Sequence, residues 1–452
     1  MPEIDRTHAS NLLEIKKFIS ETIKGFIFKE RDHISEILSL FFSNKTIGIE
    51  TFNDFKSFYE NNDENKVKFF KIMGSFHHDR FEYLMNKIYA IQSTPLWMIK
   101  LAEDLQGILT NLKKAGNDEE YESLNKLRHY FQNYFSKIFN YQYLITREYN
   151  ANNTPINLLK YIADKEGVHP AKHWSRFEER LNRPDHFLLG LEHFKIPNMP
   201  VVYIEIALSK GLIKKIHHVL GTEGQEVLVK KADTAIFYSV NNTFGGLTGI
   251  GLGEKMILRS REYLNKVYPN IEVFSTLSPM PGFREYLDTI LKRKQSYFKL
   301  TSETLDMYKK NPLFSKNEIE MLGLESQKIN PRLNLSSPIE ILLTILSSRK
   351  WYENPVIEKY LEKPMINLAR YFVLNEKRKD RETDVILYNC YDPVANFHLS
   401  NGAAVGSLNF LANITERGIN ESYSMMANYI YDIDKLDKNK MRYTLGEIDC
   451  RI

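Results

Sequence analysis

Three stretches of this 452-residue chain combine residue types and spacings that suit chemistry. DPVANFHLSNGAAV, residues 392–405, sets one imidazole, His398, between Asn396 and Asn401. Pro393 and Gly402 punctuate it, so the reading is a polar turn rather than an ordinary helix. The imidazole is either a buried structural group or a proton donor held for a substrate. The two Asn side chains either orient it or cap the turn, and capping is the expectation. STLSPMPGF, residues 275–283, fixes Ser278 in front of Pro279 at the end of an apolar run. A hydroxyl there is placed for chemistry or caps a turn. The spacing is not Gly-x-Ser-x-Gly, so a hydrolase elbow is not supported. FYSVNNTFGGLTGIGLGEKMIL, residues 237–258, passes from a strand-like run through Gly245, Gly246, Gly249, Gly251 and Gly253 into a helical pattern. Glycines let a backbone approach a ligand, and a helix N-terminus offers N–H groups and a positive dipole end to an anion. The spacing is neither Walker A nor a Rossmann fingerprint. The loop is a diphosphate cradle or a glycine-rich turn without a ligand. His77-His78 and His217-His218 are sequence neighbours that do not share a helix face, and there is no HExxH or Cys cluster, so no metal site is expected.

The elements that must position these groups change character along the chain. In the first third, Leu12, Ile15, Ile19, Ile23 and Phe26 recur at helical spacing. Met98, Leu101, Leu105, Ile108 and Leu112 do the same, as do Leu124, Leu127, Phe131, Phe135 and Ile138. Thr94-Pro95 reads as a helix start. The breakers NANNTP, residues 150–155, place a domain boundary there or slightly later. Beyond them VVYIEIAL (201–208), AIFYSV (235–240) and VFSTL (273–277) read as buried strands between helical patterns, which argues for an α/β or α+β second domain. Residues from about 285 to 380 read as helical again, divided by Pro312, Pro331 and Pro338.

Charged residues make up 26% and hydrophobic ones 43%, ordinary for globular chains. The net charge of +4, from 61 basic and 57 acidic residues, is too balanced to argue for nucleic acid. Two cysteines, Cys390 and Cys450, exclude a disulfide framework and fit a reducing compartment. The opening MPEIDRTHAS lacks the apolar core of a signal peptide, no apolar run is long enough to span a membrane, and the final DCRI is not a peroxisomal address. The expectation is a cytoplasmic protein with no nucleic-acid or membrane partner.

HPAKHW (169–174), VVYIEIAL, FYS, GLTGIGLG, TLSPMPGF, DPVANFHLSNGA, LNFLANITERGINES and MMANYIYD (425–432), in this order, resemble malonyl-CoA decarboxylase over about residues 165–435. The resemblance implies an α+β two-domain fold. An N-terminal all-α helical bundle, residues 1–150, would serve oligomerisation. A GNAT-like (N-acetyltransferase superfamily) α/β catalytic domain, residues 151–452, would follow, with a helical insertion around 285–380. The implied reaction is decarboxylation of malonyl-CoA to acetyl-CoA and CO₂. Ser278 would position the malonyl group and His398 would protonate the enolate. Thr248, Gly249, Ile250, Gly251, Leu252, Gly253 and Glu254 would receive the coenzyme A diphosphate, with Ser239 and Tyr431 near the acyl group. Phe244 and Gly251 depart from the family pattern, which often has Gln and a polar or acidic residue there, and the stretch before Asp392 diverges.

The thioester of such a substrate is its own electron sink, so no cofactor beyond the substrate's coenzyme A and no metal is expected. An imidazole with a reference pKa of about 6.5 suits a general acid near neutrality. The implied assembly is a homo-oligomer, a dimer or tetramer. A GNAT-type acyl-CoA-dependent acyltransferase would need the same cradle and is the alternative. A non-catalytic coenzyme A-binding protein is the third reading.

Overall fold

The computed structural model describes residues 38, 41–42, 48–91, 95–171, 173–221, 229–292, 314–335, 337–379 and 386–452. The helix expected through Leu12 to Phe26 and the break at Pro312 lie outside the described residues. The chain divides into two compact units, Met1–Asn140 with Phe244–Ile250, and Tyr141–Thr243 with Gly251–Ile452. The expected boundary near 150 lies at the end of the second unit's first strand.

The first unit contains α1 (Ile49–Glu60), α2 (Asp63–Gly74), α3 (His78–Ala90), α4 (Pro95–Lys114) and α5 (Asp118–Ile138). Pro95 opens α4, where a missing N–H costs nothing. Asn117 caps α5 by accepting the Glu120 N–H at 3.3 Å. The apolar steps Met98, Leu101, Leu105, Leu124, Leu127, Phe131 and Phe135 are buried, as their spacing predicts. Aromatic rings dominate this core: Trp97 meets Phe55 at 5.4 Å and Tyr59 at 5.5 Å, edge to face. Each such pair contributes about 0.5–1.5 kcal/mol beyond its buried area.

The second unit is built on an eight-stranded sheet. Its chain order is β1 (Leu144–Tyr149), α6 (Ile156–Asp164), α7 (Trp174–Leu181), β2 (His186–His193), β3 (Ile196–Ser209), α8 (Ile216–Val219), β4 (Thr234–Asn242), α9 (Leu252–Val267), β5 (Val273–Thr276) and β6 (Ser278–Pro279). Helices α10 (Phe283–Lys292), α11 (Lys316–Ile329), α12 (Pro338–Ser347) and α13 (Pro355–Asn375) follow. A small hairpin, β7 (Lys377–Lys379) with β8 (Ile386–Cys390), precedes α14 (Pro393–Ser400), β9 (Ala404–Asn409), α15 (Glu416–Ser422), β10 (Met426–Ile430) and α16 (Leu436–Thr444).

The sheet runs β1-β2-β3-β4-β5-β10-β6, with β9 also paired to β10. The three apolar runs read from the sequence fall on β3, β4 and β5. They are buried almost without interruption, as strands covered on both faces must be. Among the described strands, β4 and β5 are the pair that runs parallel, joined by the crossover helix α9. They stay paired for four residues, Thr234↔Val273 to Phe237↔Thr276, and β4 then continues to Asn242 with β3 as its partner. The order expected from the sequence, a helical part followed by a mixed sheet domain, is the order found among the described residues. Among the described residues no helix is long and apolar enough to cross a membrane.

Candidate active site

The extended run from β5 into β6 alternates as strands do, so Thr276 and Ser278 share one face while Leu277 turns to the other. Leu277 is fully buried in an apolar cluster with Ile236, Tyr238, Ala412 and Met426. On the opposite face Ser278 Oγ donates to Thr276 Oγ1 at 2.9 Å. The neighbouring strand β10 has a register irregularity at Asn428/Tyr429. There the Tyr429 N–H reaches Thr276 Oγ1 at 3.2 Å, and Asn428 Nδ2 donates to the Thr276 carbonyl at 2.6 Å.

The stretch holding His398 is a helix, α14, where the sequence led us to expect a polar turn. Pro393 and Gly402 are its start and stop signals rather than interior breakers. Asp392 is the N-cap, its Oδ1 accepting the N–H groups of Val394 at 3.0 Å and Ala395 at 2.8 Å. Gly402 sits at φ +86°, with its N–H on the Leu399 carbonyl and the Ala403 N–H on the His398 carbonyl, a Schellman ending. Of the two Asn residues expected to cap, Asn401 stands at the C-cap, its N–H on the Phe397 carbonyl at 3.3 Å, while at the N-terminus the cap is Asp392. Asn396 Oδ1 instead accepts from the Tyr443 hydroxyl at 2.9 Å. Asp392 also accepts the Gly282 N–H at 3.3 Å, tying the His helix to the turn after Ser278.

His398 Nε2 lies 2.9 Å from Ser278 Oγ, and Nδ1 lies 2.8 Å from the Tyr431 hydroxyl. The Tyr429 ring stacks on the imidazole at 4.6 Å. Ser278 is 6% exposed, His398 5% and Tyr431 4%. Burial pushes the imidazole down to about 3, so it is neutral at neutral pH. The expectation of an acid near its reference value fails here, because removing a charged imidazole from water outweighs its two neutral partners. Burial also raises the Tyr431 hydroxyl well above its ordinary value.

Three of the expected site residues therefore meet: Ser278, His398 and Tyr431. In the structure Ser239 is engaged elsewhere. Its hydroxyl donates to Glu166 Oε2 at 2.6 Å, and Asn241 Nδ2 donates to the same oxygen at 2.8 Å. The irregular register between Glu205 and Ile206 brings Tyr238 to this group, its hydroxyl on Glu205 Oε2 at 2.9 Å. Burial and then the neighbouring Glu166 raise the Glu205 carboxyl to about 8. Burial also raises Glu166, but bonds from Glu205, the His169 N–H and Ser239 hold it below its ordinary value.

The glycine-rich loop crosses from the first unit into the second at Gly251. On the first unit, Gln132 Nε2 donates to the Thr248 carbonyl at 3.2 Å and the Gly246 N–H donates to Glu103 at 3.2 Å. A Cβ at Gly246 would lie 2.3 Å from the Ile99 carbonyl oxygen, so this glycine serves close packing on α4. Gly249 (φ +87°) and Gly251 (φ +73°) occupy the left-handed region that glycine enters without strain. Ile250 is buried between them. On the second unit, Leu252, Gly253 and Glu254 form the first turn of α9, and Glu254 pairs with Lys440. A Cβ at Gly253 would come 2.8 Å from the Phe397 ring, so this glycine lets α9 start against the helix that carries His398.

Sequence reasoning missed Thr276, Asp392 and Glu166. A hydroxyl two places before Ser278 on a strand is readable from the period of two, and Asp-Pro is a helix-start pair. Glu166 lies 73 residues from Ser239, and no local spacing announces it. Among the described residues no group of three His, Cys, Asp or Glu side chains is placed to hold a metal ion.

The solved malonyl-CoA decarboxylase from Rhodopseudomonas palustris is 22% identical, with 96% of each chain covered and a TM-score of 0.62. That from Cupriavidus metallidurans is 21% identical, covering 92% of this chain and 96% of its own, at 0.65. These likenesses concern the fold. Mitochondrial malonyl-CoA decarboxylase from Anser anser anser is 30% identical over 296 residues, 64% of this chain and 53% of the relative. The Mus musculus protein of the same name is 28% identical over 295 residues, 64% and 54%. The chain thus spans about half the length of the curated relatives it matches. The model of the malonyl-CoA decarboxylase C-terminal domain matches residues 143–451, which include the whole Ser278–His398–Tyr431 constellation, and on that match the chain belongs to the malonyl-CoA decarboxylase family.

Proposed function

We propose that this protein decarboxylates malonyl-CoA to acetyl-CoA and CO₂, with Ser278 positioning the malonyl group and His398 as the proton donor. The observation that carries the proposal is the buried contact of His398 with Ser278 on one nitrogen and Tyr431 on the other. Breaking the bond between C2 and the carboxylate sends its electron pair into the thioester, giving an enolate and CO₂. When substrate binds, Ser278 turns its proton from Thr276 Oγ1 to a malonyl oxygen and holds the group beside the imidazole. Hydroxyl and N–H donors aimed at the developing oxyanion each contribute about 10²–10³ in rate.

An enolate carbon is a much stronger base than imidazole or a phenolate, so a neutral imidazole is a competent acid here. The Nε2 proton passes to C2 while the Tyr431 proton passes to Nδ1. Water then restores Tyr431 after product leaves, so each turnover consumes one proton from solvent. The first turn of α9 and the loop before it, residues 248–254, receive the coenzyme A diphosphate. Ser239 contributes to the acyl end by giving up its bond to Glu166.

The electron sink is in the substrate, so turnover is expected to persist after exhaustive treatment with EDTA. The check is CO₂ release from malonyl-CoA as sole substrate, before and after chelation. Loss of activity restored by one particular metal would contradict the mechanism. The family resemblance also supports self-association of the chain through its helical unit. Light scattering behind a sizing column is expected to give a dimer or tetramer, and a monomer at micromolar concentration would remove that role.

A further inference from the structure

We propose that Thr276 is a positioning residue that fixes which nitrogen of His398 carries the proton. The inference rests on the reading of His398 as the acid, and it deepens that reading. A serine hydroxyl has one proton. Ser278 directs its proton to Thr276 Oγ1 at 2.9 Å. The Ser278 oxygen therefore faces His398 Nε2, 2.9 Å away, as an acceptor, and Nε2 must carry the hydrogen. Nδ1 is then bare and accepts the Tyr431 O–H at 2.8 Å. One link at Thr276 sets the direction of the whole row.

Thr276 is itself held from two sides. The Tyr429 N–H, a backbone donor that cannot be reversed, fills a lone pair of Oγ1. Asn428, fully buried, donates to the Thr276 carbonyl and is braced by Ser407 Oγ and Asn409 Nδ2, each 2.7 Å from its Oδ1. The irregularity in β10 is what frees the Tyr429 N–H for a side chain. The opposite row has Thr276 donating to Ser278, Ser278 to Nε2, and Nδ1–H to Tyr431. It would reverse the bond between Ser278 and Thr276 and leave Nε2 without a proton to deliver.

The test is ¹⁵N NMR of the histidine-labelled 452-residue chain at neutral pH, with the His398 resonances assigned by their loss in His398→Asn. The expected result is the neutral tautomer protonated at Nε2, and the Nδ1-protonated tautomer would overturn the proposal without any Thr276 variant. Thr276→Val removes the hydroxyl at nearly constant shape. It is expected to mix the tautomers and lower kcat about tenfold or more while KM for malonyl-CoA stays within about twofold, as befits a residue acting through proton placement rather than substrate binding. Thr276→Ser keeps the hydroxyl and is expected to restore both the single tautomer and most of kcat. Unchanged kcat and tautomer in Thr276→Val would sink the assignment. If the parent protein fails to decarboxylate malonyl-CoA, the functional reading fails, while the tautomer of the substrate-free protein still decides the role of Thr276.

Discussion

His398→Asn is expected to fold and to form acetyl-CoA about 10²–10⁴-fold more slowly than the parent, the usual contribution of a general acid. The imidazole has both nitrogens engaged, and Asn cannot reach Ser278 and Tyr431 together. The variant also leaves these two buried hydroxyls short of a partner, costing roughly 1–3 kcal/mol of stability. That loss has its own pH signature. The folded-state pKa of His398 is depressed to about 3 from an unfolded value of about 6.5. Its contribution to stability is therefore complete above pH 6.5 and is lost as the pH falls towards 3. Urea titrations at pH 7 and pH 5 should show the parent losing about 2 kcal/mol more than the variant over that interval. Turnover by the variant within a few-fold of the parent would remove His398 from the acid role. Equal pH slopes would show that the imidazole is not buried neutral.

The second large effect is expected from Ser278→Ala. It removes the group that faces the imidazole and that we propose holds the malonyl end of the substrate, and it should lower kcat about 10²–10³-fold. If Ser278 positions the malonyl group as proposed, KM rises as well, in contrast to a residue that only sets a proton. The backbone of β6 stays paired with β10 through Ala427, so the strand should survive the change. Steady-state kinetics with malonyl-CoA decide the matter. A parent-like kcat would mean that Ser278 is the turn-capping serine its place before Pro279 also allows.

Three strands of the second unit and two helices of the first were legible from local pattern. β-branched runs gave β3, β4 and β5, and three- and four-residue steps gave α4 and α5. The catalytic candidates were legible only through long motifs, since one Ser and one His 120 residues apart have no readable spacing. Pro393 and Gly402 misled because a breaker and a helix end share a residue type, and the N-cap and Schellman geometry that tells them apart is a matter of a few backbone bonds. The depressed pKa of His398 arises from burial among Tyr429, Tyr431 and Phe397, which only the folded chain assembles. Ser239 shows the same limit: its engagement with Glu166 depends on β4 meeting the loop after α6. Gly246, which read as part of a ligand cradle, is explained by its approach to Ile99.

The most direct measurement is turnover of malonyl-CoA by the 452-residue chain in D₂O with no acceptor amine present. The account predicts equal amounts of CO₂ and acetyl-CoA, one deuterium entering the methyl group per turnover, and loss of both products in His398→Asn. Malonyl-CoA that is bound but not cleaved, or an acyl group consumed only when an amine is added, would contradict it.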